Sequence, residues 1–430
     1  MRAIPLRRRV GGSALTTPHF LLLFTAMLIA AAGNTALQSV MPAIGREIGI
    51  ADLWVAIAYT WSAVLWVLLA PFWAHKSDHH GRKPLILMGV GGFIVSMALC
   101  GLVLDLGLKG MLGGATTFIL FAIARAIYGS LGCAIPSATQ AYLASRTRRA
   151  ARVSALSALT SSFGLGTIIG PAMAPLFVLP WVGLSGPLFA FAVIAIAVFI
   201  AILLWLPDDR HTRRGGRGAA MSYPSQASSV TGASVVAATS ADRARLKWSD
   251  PRIRPWILAG VASGHAQAAT LTCLGFFIID RLGLAPNGSE TSIAIVMMAG
   301  ASATLAAQWG LIPRLALSPR ALILWGSLIA ALGLIGTMFA PDLYGIVLGF
   351  GIASIGFGLT RPGFTAGASL AVSLGEQGGV AGVITAANGI SFVAAPGVGM
   401  LLYAADPHLP FAVSALLLIA LIPWGRRRLA

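Results

Sequence analysis

Twelve stretches of this chain are apolar for long enough to cross a lipid bilayer, and no other feature constrains its folding as much. A bilayer core of about 30 Å needs roughly 20 apolar residues in helical form. Inside lipid there is no water to bond peptide N–H and C=O groups, so each crossing segment must satisfy them internally, as a helix. The runs predict spans at about 19–41, 53–73, 84–104, 115–143, 152–178, 187–206, 256–279, 291–312, 320–339, 343–371, 379–404 and 409–425. With 57% hydrophobic and only 10% charged residues, the chain could not cover the surface of a soluble protein of its length. The expected fold class is all-α and integral to the membrane, with twelve transmembrane helices.

The formal net charge of +17 would suit nucleic acid if it lay on one surface. Instead the basic residues gather in six places: Arg2 to Arg9, Lys76 to Lys83, Arg146 to Arg152, Arg210 to Arg254, Arg314 to Arg320 and Arg426 to Arg428. If the N-terminus is cytoplasmic and the spans alternate, all six fall on the cytoplasmic side. Only Arg46, Lys109 and Arg281 fall on the far side. This is the positive-inside bias, so the expected partner of these charges is the lipid bilayer and its anionic headgroups, not nucleic acid. The same parity predicts a multi-pass protein of the plasma membrane, in bacteria the inner membrane, with both termini cytoplasmic. The N-terminus "MRAIPLRRRVGG…AAAG" resembles a secretory signal. Cleavage there would remove one span and invert the parity, so the segment is expected to stay.

Cys100, Cys133 and Cys273 all lie inside apolar runs and read as small buried hydrophobes. No metal-ligand cluster, nucleophilic triad or phosphate-cradling glycine loop stands out, so no metal, cofactor or enzymatic activity is expected. One long polar segment, rich in Ser, Ala, Gly and Arg, divides the chain. The expected organisation is an N-terminal six-helix bundle (1–206), a flexible cytoplasmic linker (207–254) and a C-terminal six-helix bundle (255–430). The halves also look related. "GCAIPSATQAYLA" from 132 aligns with "GLTRPGFTAGASLA" from 358, and Pro136 precedes Pro171 much as Pro362 precedes Pro396. Internal duplication of this kind is a ground plan of secondary transporters.

Three short motifs carry a family resemblance. Between the second and third spans lies "DHHGRK", in which Asp78 is an acid on a basic face, Gly81 permits a tight reversal, and Arg82 and Lys83 would hold the turn at the anionic leaflet. In the fourth span "RAIYG" places Arg125 at mid-membrane, and in the fifth "GTIIGPAMAP" carries Gly166, Gly170 and Pro171. Together these resemble the signatures of the major facilitator superfamily, in particular its twelve-helix drug/proton antiporter branch, with the tetracycline-type and carboxylate-siderophore exporters as neighbours. The first motif departs from the family pattern at Ala74, Lys76, Ser77 and His79, the last at Ala174 and Pro175. The resemblance implies two pseudo-symmetric six-helix bundles around a central cavity, exchange of a small molecule for protons by alternating access, and Asp78 with Arg82 as a cytoplasmic gate. Asp78 would latch onto the start of the eleventh helix, near Gly378 to Val380.

Thirteen acidic residues occur, and none falls deep within a span, whereas Arg125 and Arg361 do. A charge at mid-bilayer costs roughly 2.5–3.5 kcal/mol, so it should face a cavity or a partner. Helices one, four, seven and ten line the cavity in the family fold, and these two arginines lie on the fourth and tenth. Asn34 and Gln38, spaced i, i+4, share a face of helix one. His265 and Gln267 lie at similar depth in helix seven. A cavity with fixed positive charge and no carboxylate favours an anionic, carboxylate-bearing substrate such as a siderophore or metabolite. Multidrug or tetracycline-like efflux is the alternative, as is uptake of an organic anion. Histidine's ordinary pKa suits His265 to proton coupling. A monomer is expected.

Overall fold

The computed structural model describes residues 17–147, 149–208, 247–373 and 376–429, without the side chains of residues 71, 74–80, 149–154, 157, 160, 377 and 378. Its helices are α1 (Thr17–Ile48), α2 (Asp52–His80), α3 (Arg82–Leu108), α4 (Gly114–Arg146), α5 (Arg149–Met173) and α6 (Gly186–Trp205). They are followed by α7 (Arg254–Leu282), α8 (Glu290–Leu315), α9 (Pro319–Phe339), α10 (Leu343–Leu370), α11 (Gln377–Ala405) and α12 (Leu409–Arg428). Among the described residues, eleven of these are long and apolar enough to cross a membrane. In α5 the apolar stretch, Ser161–Phe177, is shorter and ends in a 3₁₀ turn after Pro171. All twelve expected spans are therefore helices, and the fold is all-α. Most of the polar linker falls outside the described residues.

Local sequence explains several helix ends. Ser318 caps α9 by accepting from the N–H of Ala321 at 3.3 Å, and Asp342 caps α10 by accepting from Gly345 at 2.8 Å. Gly283 ends α7 in the left-handed conformation that glycine takes without strain. Two ends differ from the sequence reading. First, α1 runs 32 residues, about 48 Å at 1.5 Å per residue, longer than a bilayer core of about 30 Å. Second, the turn read over "DHHGRK" is far tighter than expected. Helix α2 continues to His80, and the reversal falls on Gly81 alone, at φ 87°. Arg82, at the start of α3, is only 3% exposed. Lys83 reaches across to α6 and donates to the Leu203 carbonyl at 2.9 Å.

Helices in lipid gain little by hiding apolar surface from each other, so they associate by close backbone approach at small residues. Gly166 and Gly170 on α5 lie against the α1 backbone. A Cβ on the first would meet Ala31 and the Leu28 carbonyl, and on the second the Ala32 carbonyl and Thr35. Thr35 Oγ1 also donates to the Gly166 carbonyl at 3.3 Å. In the second half, α9 and α10 interlock through Gly326, Gly333, Gly349 and Gly356, each facing backbone of the other helix. The corresponding α3–α4 seam uses Gly89 and Gly92 under Ile135 and Leu131. Contacts between the halves run along α1–α7, α2–α11 and α5–α8. There Gly275 faces Pro42, Gly389 faces Val67 and Gly164 faces Leu305.

The three basic residues expected on the far side each have a local partner. Arg46 pairs with Asp52 and Asp280, Lys109 with Asp105 at 2.7 Å, and Arg281 Nε donates to the Ala340 carbonyl at 2.8 Å. Cys100, Cys133 and Cys273 are buried and free.

Replacing Gly170 by Val should cost about 1–3 kcal/mol through overpacking against α1, read as a lower melting temperature in detergent. Gly382→Ala, where a Cβ meets nothing within 4 Å, should leave it unchanged.

Candidate functional site

The polar face of α1 divides its work between two places. Asn34 is buried inside the first six helices, where its Oδ1 accepts from Arg125 Nη2. The Arg125 guanidinium is 0% exposed and lies over the rings of Tyr128 on its own helix, at 4.8 Å, and Tyr59 of α2, at 5.4 Å. Tyr128 is itself packed against Trp66 and Phe93, with ring centroids 5.4 Å and 5.5 Å away. Aromatic faces and one amide oxygen thus stand in for water around a charge that lipid would not tolerate.

The backbone of α4 loosens just beyond Arg125, in a π turn over Tyr128–Gly132. Such turns leave carbonyls short of helical partners, and side chains here supply bonds from outside. Ser96 Oγ donates to the Ala124 carbonyl at 2.7 Å, Ser62 Oγ to that of Arg125 at 3.3 Å, and Trp73 Nε1 to that of Ser130 at 2.7 Å. These bonds from α2 and α3 fix the register that aims Arg125 at Asn34. The tryptophans of α2 otherwise face outward or pack, as Trp54 and Trp61 are exposed while Trp66 is buried.

One turn along α1 from Asn34, Gln38 lines a cavity where the halves meet, with Tyr59 of α2, Thr272 and Phe276 of α7, Met297 of α8 and Phe392 of α11. The cavity encloses about 60 Å³. Drug-sized sites hold several hundred Å³, so the walls must part before such a molecule can enter. Its lining is mostly apolar and aromatic, yet the buried Gln38 Oε1 accepts no hydrogen bond.

The other expected site residues are dispersed. Arg125 does not line this cavity, contrary to the expectation of two guanidinium groups facing it; its charge is spent within the first bundle. Nor does Arg361, which is 8% exposed on α10. Gln267 is buried on α7 away from the cavity. His265 is half-buried, and its Nδ1 lies 2.8 Å from the Val261 carbonyl and 3.3 Å from Ser391 Oγ on α11. A carbonyl only accepts, so Nδ1 is the nitrogen that donates to it. Gly166, Gly170 and Pro171 sit at the α1–α5 packing seam. The side chains of Asp78 and Gly378 fall outside what is described, so the latch reading for Asp78 stands as an expectation. Beside that helix start, Arg252 holds Glu376 with bonds of 2.8 Å and 3.1 Å. Together with the hydroxyl and N–H of Ser373, this brings the Glu376 carboxyl down to about 2. No cluster of three or more metal-ligating side chains occurs among the described residues.

A helical bundle of this length, with a polar-tipped cavity between two six-helix groups, is the architecture of a membrane transporter. Residues 23–396 match the family model of the Major Facilitator Superfamily, and the chain belongs to that family. Its eleven long apolar helices among the described residues fit a multi-pass membrane protein of that family. Among its relatives, Multidrug resistance protein MdtG of Proteus mirabilis is 27% identical over 41% of this chain and 42% of the relative. Tetracycline resistance protein, class B, of Escherichia coli is 27% identical over 43% of each. The chain thus spans less than half the length of the curated relatives it matches. Among solved structures, an inward-facing bacterial homologue of the iron transporter ferroportin superposes with a TM-score of 0.67 at 16% identity, covering 95% of this chain and 98% of that one. A bacterial homologue of the lysosomal transporter Spinster superposes with 0.69 at 13% identity, covering 96% and 98%. At these identities the likeness concerns the fold.

Asn34→Ala should destabilise the protein by about 1–3 kcal/mol, because it strips a buried guanidinium of an acceptor. Asn34→Ala combined with Arg125→Met should lose less than the sum of the two single changes in thermal melts. Strictly additive losses would mean that the two side chains do not act as a pair.

Proposed function

We propose that this chain exports a small amphipathic organic molecule, largely apolar or aromatic and bearing at least one hydrogen-bond donor, in exchange for protons. One observation carries the reading: a buried acceptor, Gln38 Oε1, without a partner in an apolar cavity at the junction of the two halves. An unmet buried acceptor costs about 1–3 kcal/mol, and a substrate hydroxyl, amide or amine would relieve that cost while its apolar body met Phe276, Phe392 and Met297. The efflux functions named for the relatives favour export over uptake. Transport proceeds by alternating access, the bundles 1–206 and 255–430 rocking about the cavity across the linker 207–254. The protein works as a monomer in the plasma membrane, the bacterial inner membrane, with both termini and the basic turns on the cytoplasmic side. Asp78, Gly81, Arg82 and Lys83 belong to the gate at that side.

Proton coupling falls to His265, half-buried on α7. An anionic, siderophore-like cargo is the second reading. It rests on the position of Arg361 at mid-span on α10.

Proteoliposomes with an imposed pH gradient test these assignments, using a phenol-bearing amphiphile, its methyl ether and an anionic analogue. Gln38→Leu should weaken uptake of the phenol roughly fivefold to tenfold, the worth of one hydrogen bond, and leave the ether unchanged. Equal effects on both would remove Gln38 from substrate binding. Preference for the anion, abolished by Arg361→Ala, would establish the second reading. His265→Ala should abolish gradient-driven accumulation while downhill exchange persists; retained accumulation would exclude it as the coupling group.

A further inference from the structure

The halves are also tied at the end opposite the basic clusters, where a single guanidinium gathers carboxylates from both. Arg46, in the last turn of α1, donates from Nε and Nη2 to the two oxygens of Asp52 at 3.0 Å and 2.6 Å. Its Nη1 and Nη2 also donate to Asp280 near the end of α7, the second bond at 2.9 Å. Tyr403 on α11 completes the cluster, its hydroxyl donating to Asp280 Oδ2 at 2.6 Å. The ring of Phe276 lies 5.6 Å from the guanidinium carbon.

The two carboxylates differ in what they tie together. Asp52 stands in the first turn of α2, so its bond to Arg46 stays within one half and orients the guanidinium. Asp280 comes from the other half, so its bonds to Arg46 must break if the halves separate here, whereas Tyr403 shares that half and orients the Asp280 carboxylate. The cluster is wet: the paired side chains keep 20–34% of their surface, and a cleft of about 490 Å³ lined by Arg46, Asp52 and Tyr403 opens beside it. Ion pairs in contact with water contribute little each and exchange readily with solvent. The dry pair of Arg125 and Asn34, within one half, has neither property.

We propose that Arg46 and Asp280 form a latch that closes the end of the pathway opposite the basic clusters and opens once in each transport cycle, with Asp52 and Tyr403 as positioning residues on either side of it. The proposal rests on the alternating-access reading above. Its readout is access to the cavity, which needs no substrate and so is separable from the identity of the cargo.

The test uses the full chain carrying Thr272→Cys, a cavity-lining reporter, in oriented proteoliposomes. A membrane-impermeant maleimide is applied from each side in turn. Arg46→Gln and Asp280→Asn should each speed labelling from the latch side roughly fivefold, as loss of a solvated ion pair allows. The double variant should do no more than either single, because both break one interaction. Tyr403→Phe, which removes one hydroxyl, should give a smaller rise, and the charge-conserving Asp280→Glu should stay near the parent rate. Unchanged labelling in both single variants would overturn the latch, as would single effects that multiply in the double variant. Acceleration only from the opposite side would overturn it too.

Discussion

Close backbone approach at glycine holds this protein together, since lipid offers helices almost no reward for covering one another's apolar surface. Within each half the seams are dense. Gly166 and Gly170 bring α5 onto the α1 backbone, and four glycines interlock α9 with α10. Between the halves the contacts run chiefly along α2–α11 and α5–α8, with close approaches such as Gly275 to Pro42 and Gly164 to Leu305. Bundles joined more closely within than between are the arrangement that the proposed alternating access requires.

The two polar clusters illustrate opposite uses of charge. Arg125 is shut away from water with an amide and two aromatic rings, so moving it would expose an unmet charge to a medium that solvates it poorly. It stabilises one arrangement of α1, α2 and α4. Arg46 is wet, multiply bonded and shared between halves, so its bonds are replaceable by water at small cost. Burial, more than residue type, separates the fixed arginine from the movable one.

Much of this was legible in the sequence. Apolar run length located every helix, because lipid leaves a crossing segment no alternative to helical bonding. The depth of Arg125 and the i, i+4 spacing of Asn34 and Gln38 were also readable. The direction Arg125 faces was not, since a helix that is apolar all round gives no periodic clue to its inner side. One signal was available: Tyr128 follows Arg125 by three residues, on the same face of α4. The π turn has no recognisable signature, and the extent of α2 was hidden by charged residues that resemble a turn yet remain helical up to His80. Arg46 stood out as an exception to the charge distribution; that Asp52, Asp280 and Tyr403 surround it depends on packing across some 230 residues of chain.

The surplus length of α1 has a mechanical consequence. A rod of about 48 Å that pivots near its middle carries its tip through roughly 4 Å for a tilt of only 10°. Hydrogen bonds do not survive such a displacement. In the alternating-access cycle proposed above, the far end of α1 would serve as a lever arm: slight rocking near Asn34 and Gln38 would become at Arg46 a stroke large enough to make or break contact.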